Sequence, residues 1–241
     1  MKIISLVPSI TEALLDLGLK SPDLVGRTKF CIHPEDKVCG VPIIGGTKNL
    51  NIGKIKSLKP DLIIANKEEN EKDQIEELEK DFKVLMTNIS TLEDNYYLLK
   101  TLGNILNESE RAQHFNTKIN EIFDGISPVS ERTCAYLIWQ NPYMTVGSDT
   151  FIHEILQRLG FKNLFANRKR YPIVDVEELQ ETDCIFLSSE PYPFKQKHAD
   201  ELQKQLPQSR IILVDGEAFS WYGTHLAKCE SYFQELLQEC N

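Results

Sequence analysis

The sequence predicts an α/β fold in which two lobes with mostly parallel sheets are joined by a single long α-helix. Short apolar segments typical of buried parallel strands alternate with amphipathic helical segments along most of the chain. One long helical stripe interrupts this alternation near mid-chain, and the 241 residues suit two lobes of roughly 110 residues each. We therefore expect an N-terminal lobe over residues 1–106, a connecting helix over 107–127 and a C-terminal lobe over 128–241.

The N-terminal lobe begins with a predicted strand over residues 3–7, which is followed at once by a helix. Ser9 and Glu12 have the spacing of a capping box, so we expect Ser9 to be the N-cap of this helix. Apolar segments over 62–65 and 84–86 predict two further buried strands, with helical segments after them.

The connecting helix is predicted from Ser109 to about Ile126, where apolar side chains recur at intervals of three and four residues. These side chains are Ala112, Phe115, Ile119, Ile122, Phe123 and Ile126. A helix of this extent would be roughly 27 Å long at ~1.5 Å per residue. The pattern alone fits an ordinary crossover helix as well as it fits a rigid connector.

The C-terminal lobe repeats the order of elements seen in the first. Strands are predicted over residues 133–139, 184–187 and 211–214. Asp149 is expected to cap the helix after the first of these strands. The last helix is expected over residues 223–238.

The composition narrows the class of protein. Hydrophobic residues make up 41% of the chain and charged residues 26%, so a core can be buried. The net charge of −9 argues against non-specific binding to nucleic acid. No apolar run approaches the ~18 residues that span a bilayer, so we expect no membrane insertion. The apolar stretch at the start of the sequence is too short for an export signal, so a cytoplasmic location is left open.

The chain lacks the motifs that commonly mark catalytic or metal-binding sites. The chain has no glycine-rich phosphate loop, no nucleophile elbow and no paired-histidine zinc helix, so we predict no catalytic residues and no covalently bound cofactor. Cys31, His33 and Cys39 match no common zinc spacing, and we predict no protein metal site. The six cysteines are expected to be reduced.

Aromatic residues are concentrated in the predicted strand-to-helix loops. They are Phe30, Trp139, Tyr143, Tyr192, Phe194, Phe219, Trp221 and Tyr222. Loops at the carboxyl ends of parallel strands line ligand crevices, and aromatic rings there offer rigid apolar area with a polar edge. We predict that these side chains, with Ser9 at a helix N-terminus, bind a ligand. The alternative is that they cover loop backbone and the edges of the core.

Several segments resemble a known family. SLVPSITEALLDLGL is similar to the opening strand, turn and helix of the substrate-binding proteins of ABC importers for vitamin B12, iron–siderophore complexes and haem. LKPDLIIA resembles the most recognisable stretch of these helical-backbone (class III) periplasmic binding proteins, and DGEAFSWYG falls where the vitamin B12 binder has a cleft aromatic residue.

The resemblance implies two Rossmann-like lobes that hold a metal chelate (a cobalt corrinoid, iron–siderophore or haem-like molecule) in the cleft between them. It implies that Asn66 is a ligand-binding position, occupied by tryptophan in the vitamin B12 binder. It also implies an ABC transporter permease as partner, docked through surface glutamates. The candidates are Glu68, Glu69, Glu71 and Glu201.

The family works in the periplasm or cell envelope, and we expect a monomer. Two alternatives remain open from the sequence. One is an intracellular carrier or sensor of a metal cofactor with the same fold, and the other is a two-lobed transferase.

Overall fold

A computed structural model describes residues 1–127 and 132–240 and divides the chain into two units. The N-terminal unit comprises Met1–Ile89, Glu93–Lys118 and Tyr222–His225, and the C-terminal unit comprises Ser90–Leu92, Ile119–Trp221 and Leu226–Asn241. The predicted lobe boundaries stay a prediction, and the predicted start of the second lobe at residue 128 lies outside the described residues.

The N-terminal unit contains a four-stranded parallel sheet of order β2-β1-β3-β4. Its strands are β1 (Ile3–Ser5), β2 (Leu24–Arg27), β3 (Leu62–Asn66) and β4 (Val84–Thr87). Its helices are α1 (Pro8–Asp16), α2 (Glu35–Val38), α3 (Ile52–Leu58), α4 (Lys72–Glu79) and most of α5 (Leu92–Leu106).

The central strands of this sheet are buried on both faces. Every residue of β1 and β3 is buried, which explains why these strands appear in the sequence as continuous apolar runs rather than as alternating patterns. Ile4 and Ile63 pack with Ile55 of α3 and Leu78 of α4 in one core cluster.

Helix α1 does not begin as the sequence predicts. Its N-cap is Val7 and its first helical residue is Pro8, so Ser9 lies inside the first turn. Proline favours the first helical position because its φ is already helical and its missing N–H is not needed there. The capping-box prediction for Ser9 and Glu12 is therefore wrong, and the Glu12 carboxylate instead lies 2.8 Å from His225 Nδ1.

The helix predicted over residues 109–126 is present as α6 (Ser109–Gly125). Its residues up to Lys118 belong to the N-terminal unit and those from Ile119 to the C-terminal unit. Gly103 of α5 permits close packing here, because a Cβ at this position would lie 2.6 Å from the Cβ of Ala112. The apolar stripe is thus partly a helix-packing face.

The C-terminal unit contains a second parallel sheet, of order β10-β9-β5-β7, and a short antiparallel pair, β6-β8. The strands are β5 (Thr133–Leu137), β6 (Tyr143–Met144), β7 (Lys162–Asn163), β8 (Ile173–Val174), β9 (Cys184–Ser188) and β10 (Arg210–Val214). The helices that follow α6 are α7 (Phe151–Arg158), α8 (Gln196–Gln205), α9 (Gly216–Ser220) and α10 (Glu230–Cys240).

Two helix starts in this unit differ from expectation. The N-cap of α7 is Thr150, whose hydroxyl accepts from the His153 N–H at 3.3 Å, whereas the predicted cap Asp149 accepts from the Arg170 N–H at 2.6 Å. The last helix starts at Glu230, after a 3₁₀ turn over Gly223–Lys228. Within residues 1–127 and 132–240, no helix combines the length and apolar character that crossing a membrane requires.

Candidate functional site

The carboxyl edge of each parallel sheet gathers the loops that carry the candidate residues. In the C-terminal unit, β5 and β9 are neighbours and run in the same direction. The loop containing Trp139 and Tyr143 follows β5, and the loop containing Tyr192 and Phe194 follows β9. Both loops therefore leave the sheet at the same edge, as expected for a ligand crevice in an α/β sheet.

Side chains of these two loops form an aromatic cluster, which consists of Trp139, Tyr192 and Phe194 together with His198 of α8. The ring centroids of Trp139 and Tyr192 lie 5.5 Å apart in an edge-on arrangement, and those of Tyr192 and Phe194 lie 4.8 Å apart. Phe194 contacts His198 edge-on at 5.6 Å. Such edge-to-face geometry is the favoured arrangement of aromatic pairs. Trp139 keeps 41% of its surface exposed, so the cluster presents an indole to the outside.

A chain of hydrogen bonds runs through this cluster. His198 Nδ1 accepts from the Lys195 backbone N–H at 2.9 Å, so the neutral imidazole carries its proton on Nε2, which lies 3.5 Å from the Tyr192 hydroxyl. Tyr192 donates to Gln140 Oε1 at 3.0 Å, and Gln140 Nε2 donates to the Tyr143 hydroxyl at 3.3 Å. The Tyr143 oxygen thus receives a hydrogen bond, which leaves its own proton to be donated.

This arrangement disfavours His198 as a ligand of a metal. A neutral imidazole binds a metal through a nitrogen that carries no proton. In His198 that nitrogen is Nδ1, which already accepts from the Lys195 N–H, and the side chain is only 7% exposed. His198 and Gln140 are the site residues whose roles the sequence conceals, because only the fold brings them to the hydroxyls of Tyr192 and Tyr143.

Phe219 and Trp221 lie in the C-terminal unit but differ from Trp139 in exposure. Phe219 is fully buried, with its ring centroid 5.0 Å from that of Tyr136 and 5.8 Å from that of Phe233. Its burial argues against direct contact with a ligand. Trp221 is 6% exposed, and its indole N–H donates to Glu190 Oε1 at 3.1 Å.

The candidate residues of the N-terminal unit lie at the carboxyl edge of its own sheet. Phe30 follows β2 and is 49% exposed, with Lys29 Nζ 4.9 Å from its ring centroid. Ser9 is 4% exposed. The Tyr222 hydroxyl lies beside the side chains of Ser9 and Thr87, and its burial raises the Tyr222 pKa well above the ordinary value. Phe30 is the member of this set with exposed apolar area.

Asn66, at the end of β3, is enclosed in a polar network and is 1% exposed. Its Nδ2 donates to the Thr87 hydroxyl at 3.1 Å, and its Oδ1 accepts from the backbone N–H groups of Glu68 and Glu69 at 2.8 and 3.3 Å. Asn70 closes the network by accepting from the Asn66 N–H at 2.9 Å. The side chain of Asn66 is therefore committed to shaping its own loop.

The comparison with known families decides the identity of this fold. The model of the family described as "Periplasmic binding protein" matches residues 3–211. The chain belongs to the periplasmic binding protein family. Members of this family are binding proteins, not enzymes.

Two curated relatives share part of the sequence of this periplasmic binding protein. A vitamin B12-binding protein of Vibrio vulnificus is 25% identical over 195 residues, which cover 78% of this chain and 71% of the relative. An uncharacterised ABC transporter substrate-binding lipoprotein of Bacillus subtilis is 29% identical over 182 residues, covering 69% of this chain and 56% of the relative.

Two solved structures share its fold. The periplasmic vitamin B12-binding protein of Vibrio cholerae superposes with a TM-score of 0.83 at 20% identity, covering 99% of this chain and 97% of the other. A periplasmic haem-binding protein of Pseudomonas aeruginosa gives 0.82 at 21% identity, covering 98% and 92%. The predicted two-lobed α/β fold with parallel sheets is confirmed.

The glutamates expected to dock a transporter lie in different surroundings in this periplasmic binding protein. Glu71 lies 3.5 Å from Lys48 Nζ, and both side chains are more than half exposed. Glu68 and Glu69 are half-buried in the loop after β3, and Glu201 is exposed on α8. Their role in docking stays a prediction.

The chemistry of this periplasmic binding protein's own side chains suits binding. Within the described parts of the chain, no group of three histidine, cysteine, aspartate or glutamate residues is placed to hold a metal ion. Cys31 is fully buried, where its sulfur lies 3.0 Å from the Thr11 hydroxyl and 3.1 Å from that of Thr28. Burial raises the pKa of the Cys31 thiol, which favours the protonated, unreactive form.

Proposed function

We propose that this periplasmic binding protein captures a metal chelate of the corrinoid, haem or iron–siderophore class and delivers it to the permease of an ABC importer. The observation that carries the proposal is the aromatic cluster with its exposed Trp139 at the carboxyl edge of the second sheet. The ligands named for the relatives, vitamin B12 and haem, support the class of ligand, and the lipoprotein of Bacillus subtilis supports the transporter.

Aromatic side chains suit a planar ligand for a physical reason. An indole buries a large flat area on binding while it loses only two side-chain torsions, so the entropic cost is low. Trp139 in the C-terminal unit and Phe30 in the N-terminal unit each keep such area exposed. The Tyr143 hydroxyl, in the same loop as Trp139, adds a hydrogen-bond donor that would orient the ligand.

Binding without chemistry is part of the proposal. The protein carries no covalent cofactor, and the metal arrives inside its chelate rather than on protein ligands. The hydrogen bonding of His198 supports this, because its unprotonated nitrogen is occupied by the Lys195 N–H. We further propose that the protein acts as a monomer, which the molar mass measured by light scattering would check.

Isothermal titration with cobinamide, vitamin B12, haemin and a ferric siderophore tests the proposal. We expect at least one of these to bind with a Kd below about 100 μM, and the Trp139→Ala variant to bind it roughly 10- to 100-fold more weakly, which corresponds to ~1.4–2.7 kcal/mol. Tyr97→Ala is the matched control, since Tyr97 is a 61% exposed aromatic residue on α5. Failure of all four chelates to bind would refute the proposal.

A further inference from the structure

Two buried cysteines lie side by side on neighbouring strands of the second sheet. Cys184 is the first residue of β9, and its ladder partner in β5 is Cys134. Directly paired residues of neighbouring strands point to the same face of a sheet, so both thiols lie on one face. Both side chains are fully buried. This face therefore carries sulfur at the amino edge of the sheet, the edge opposite to the loops of Trp139 and Tyr192.

Helix α10 packs on the same face of the sheet. Its buried side chains recur at intervals of three and four residues, as expected of a helix with one face on a core, and they are Phe233, Leu236, Leu237 and Cys240. The ring centroid of Phe233 lies 5.8 Å from that of Phe219, which lies 6.3 Å from that of Phe186. Phe186 is two residues after Cys184 and so on the same face of β9. The buried stripe of α10 thus runs over the face that carries Cys184.

The last turn of α10 is held at the amino edge of the sheet. Arg210 is the first residue of β10 and the ladder partner of Cys184. Its guanidinium group donates a hydrogen bond to the Glu239 carbonyl, one residue before Cys240. Cys240 is itself fully buried, and its thiol donates a hydrogen bond to the Cys184 sulfur. Strand pairing, helix packing and the Arg210 contact therefore agree in placing these two thiols against each other.

The surroundings favour Cys184 as the reactive member of this pair. The hydrogen bond from Cys240 is the main cause that lowers the pKa of Cys184 to about 7. The guanidinium groups of Arg132 and Arg210 add to this lowering of the pKa, whereas burial and the Asp183 carboxylate oppose it. The same hydrogen bond and burial raise the pKa of Cys240. Near neutral pH the thiolate of the pair is thus that of Cys184, and the thiolate is the form that attacks a disulfide.

Cys134 is the competing partner for Cys184, and two observations disfavour it. Burial raises the pKa of the Cys134 thiol well above its ordinary value, and the neighbouring Cys184 adds to this effect. Cys134 also lies within β5, where ladder pairing on both sides fixes its backbone. Cys240 is instead the last residue of a helix, and helix ends fray. Cys240 is therefore the partner that can move to meet the Cys184 sulfur.

We propose that Cys184 and Cys240 form a disulfide bond that fixes the end of α10 to the start of β9 when the protein meets a disulfide oxidant. This inference goes beyond the proposed function and does not depend on any ligand. In an oxidising compartment the bond forms and persists, whereas in a reducing compartment both thiols stay free, as they are in the structure. The expectation of six reduced cysteines then applies to a reducing compartment alone.

The reaction is a thiol–disulfide exchange with oxidised glutathione, a small disulfide. Fraying of the last turn of α10 uncovers both sulfurs. The Cys184 thiolate attacks one glutathione sulfur, which forms a mixed disulfide and releases a glutathione thiolate that takes the proton of Cys240. The Cys240 thiolate then attacks the Cys184 sulfur, and the second glutathione leaves as a thiolate that takes up the proton Cys184 had lost to solvent. Two protein thiols thus lose two electrons, and one glutathione disulfide is reduced to two thiols.

The test incubates the full chain with oxidised or with reduced glutathione, blocks the remaining thiols with iodoacetamide and maps the peptides by mass spectrometry. After oxidation we expect a cross-linked pair of peptides that contains Cys184 and Cys240 and lacks the mass of two hydrogen atoms. Because the bond closes a long loop of the unfolded chain, the oxidised protein should unfold at a temperature roughly 5–15 °C above that of the reduced protein.

Two variants control the test. Cys240→Ser should abolish both the cross-link and the difference in unfolding temperature between the two redox conditions, whereas Cys134→Ala should keep both. Each variant is compared with itself in the two conditions, so a lower starting stability does not imitate the result. The inference would be overturned by a Cys134–Cys184 cross-link, by a stable glutathione adduct on Cys184, by full alkylation of Cys184 and Cys240 after oxidation, or by an unfolding temperature that does not respond to oxidation.

Discussion

The loops at the carboxyl edges of the two sheets are packed with different kinds of side chain. In the N-terminal unit, the loop after β3 is closed by amide and hydroxyl groups, chiefly those of Asn66, Asn70 and Thr87, which satisfy one another and nearby backbone groups. In the C-terminal unit, the loops after β5 and β9 are closed by aromatic rings, and Trp139 remains 41% exposed. The loop after β3 thus satisfies its own polar groups, whereas the loop after β5 leaves part of an indole exposed.

The difference shows that a position at the carboxyl edge is not enough to make a residue part of a binding site. What matters is whether the hydrogen-bonding groups of the side chain already have partners within the local fold. The three hydrogen bonds of the Asn66 side chain end on its own loop and on Thr87 of the neighbouring strand β4. The Tyr143 hydroxyl receives one hydrogen bond from Gln140 and retains a proton to donate.

The largest expected effect comes from separating the two kinds of aromatic residue in the C-terminal unit. Phe219→Ala should lower the free energy of unfolding by about 3–5 kcal/mol, because it removes a fully buried ring from the cluster with Tyr136 and Phe233. Trp139→Ala should cost less than about 1 kcal/mol, because its ring is partly solvated. Chemical denaturation of both variants measures the difference.

Equal losses of stability in these two variants would contradict the assignment of Phe219 to the core and of Trp139 to the surface. Phe219→Leu is the informative control, because it keeps most of the apolar volume and should recover much of the stability.

The next largest effect tests the hydrogen-bond network around Asn66 in the N-terminal unit. Asn66→Ala should lower the free energy of unfolding by about 2–3 kcal/mol, since the backbone N–H groups of Glu68 and Glu69 would lose their acceptor and Thr87 its donor. Asn88→Ala, an exposed amide one residue after β4, should change stability by less than about 0.5 kcal/mol. Denaturant midpoints of the two variants provide the measurement.

The same pair of variants separates structure from binding. If Asn66 serves its loop rather than a ligand, the folded Asn66→Ala protein should bind the chelate within about threefold of the unaltered protein. A large loss of affinity with unchanged stability would show instead that Asn66 contacts the ligand.

The sequence alone determines much of the fold and less of the site. The strands β3, β9 and β5 are evident as apolar runs, and α6 is evident from its three-four spacing, because burial on both faces or on one stripe leaves a local pattern. Helix starts are less certain: Pro8 displaces the expected cap at Ser9, and Thr150 takes the place of Asp149. Competing caps a residue or two apart differ by only ~1 kcal/mol, so local sequence does not choose between them.

The candidate site is harder to predict because its contacts join distant segments. Tyr192 and Gln140 are separated by 52 residues, and Trp221 and Glu190 by 31. The sequence shows which loops contain aromatic residues, but it does not show how far each ring is buried. Phe219 and Trp139 follow predicted strands in the same way, and only the fold shows that the first is buried and the second partly exposed.

The smallest expected effect is a dependence of the unfolding free energy on pH. It should arise in the C-terminal unit, from His153, and not from the amide network of the N-terminal unit. His153 in α7 is 7% exposed, and its Nδ1 lies 3.1 Å from Asn163 Nδ2, which can only donate. The imidazole must therefore be neutral, with Nδ1 as acceptor. Burial is the main cause that lowers the pKa of His153 below 6.5, and Lys169 adds to it, whereas Glu154 and Asp149 oppose it.

The sign of the pH dependence follows from this lowered pKa. Above pH 6.5 the histidine is neutral in both the folded and the unfolded chain, so its contribution to stability is complete. As the pH falls from 6.5 through the lower pKa of the folded state, the unfolded chain takes up the proton first and the contribution is lost. His153→Asn keeps an acceptor near the Nδ1 position but does not titrate. The difference in unfolding free energy between the unaltered protein and this variant should therefore shrink between pH 7.5 and pH 5. The corresponding difference for Asn66→Ala should stay constant over this range, because the amide side chain of Asn66 does not take up a proton.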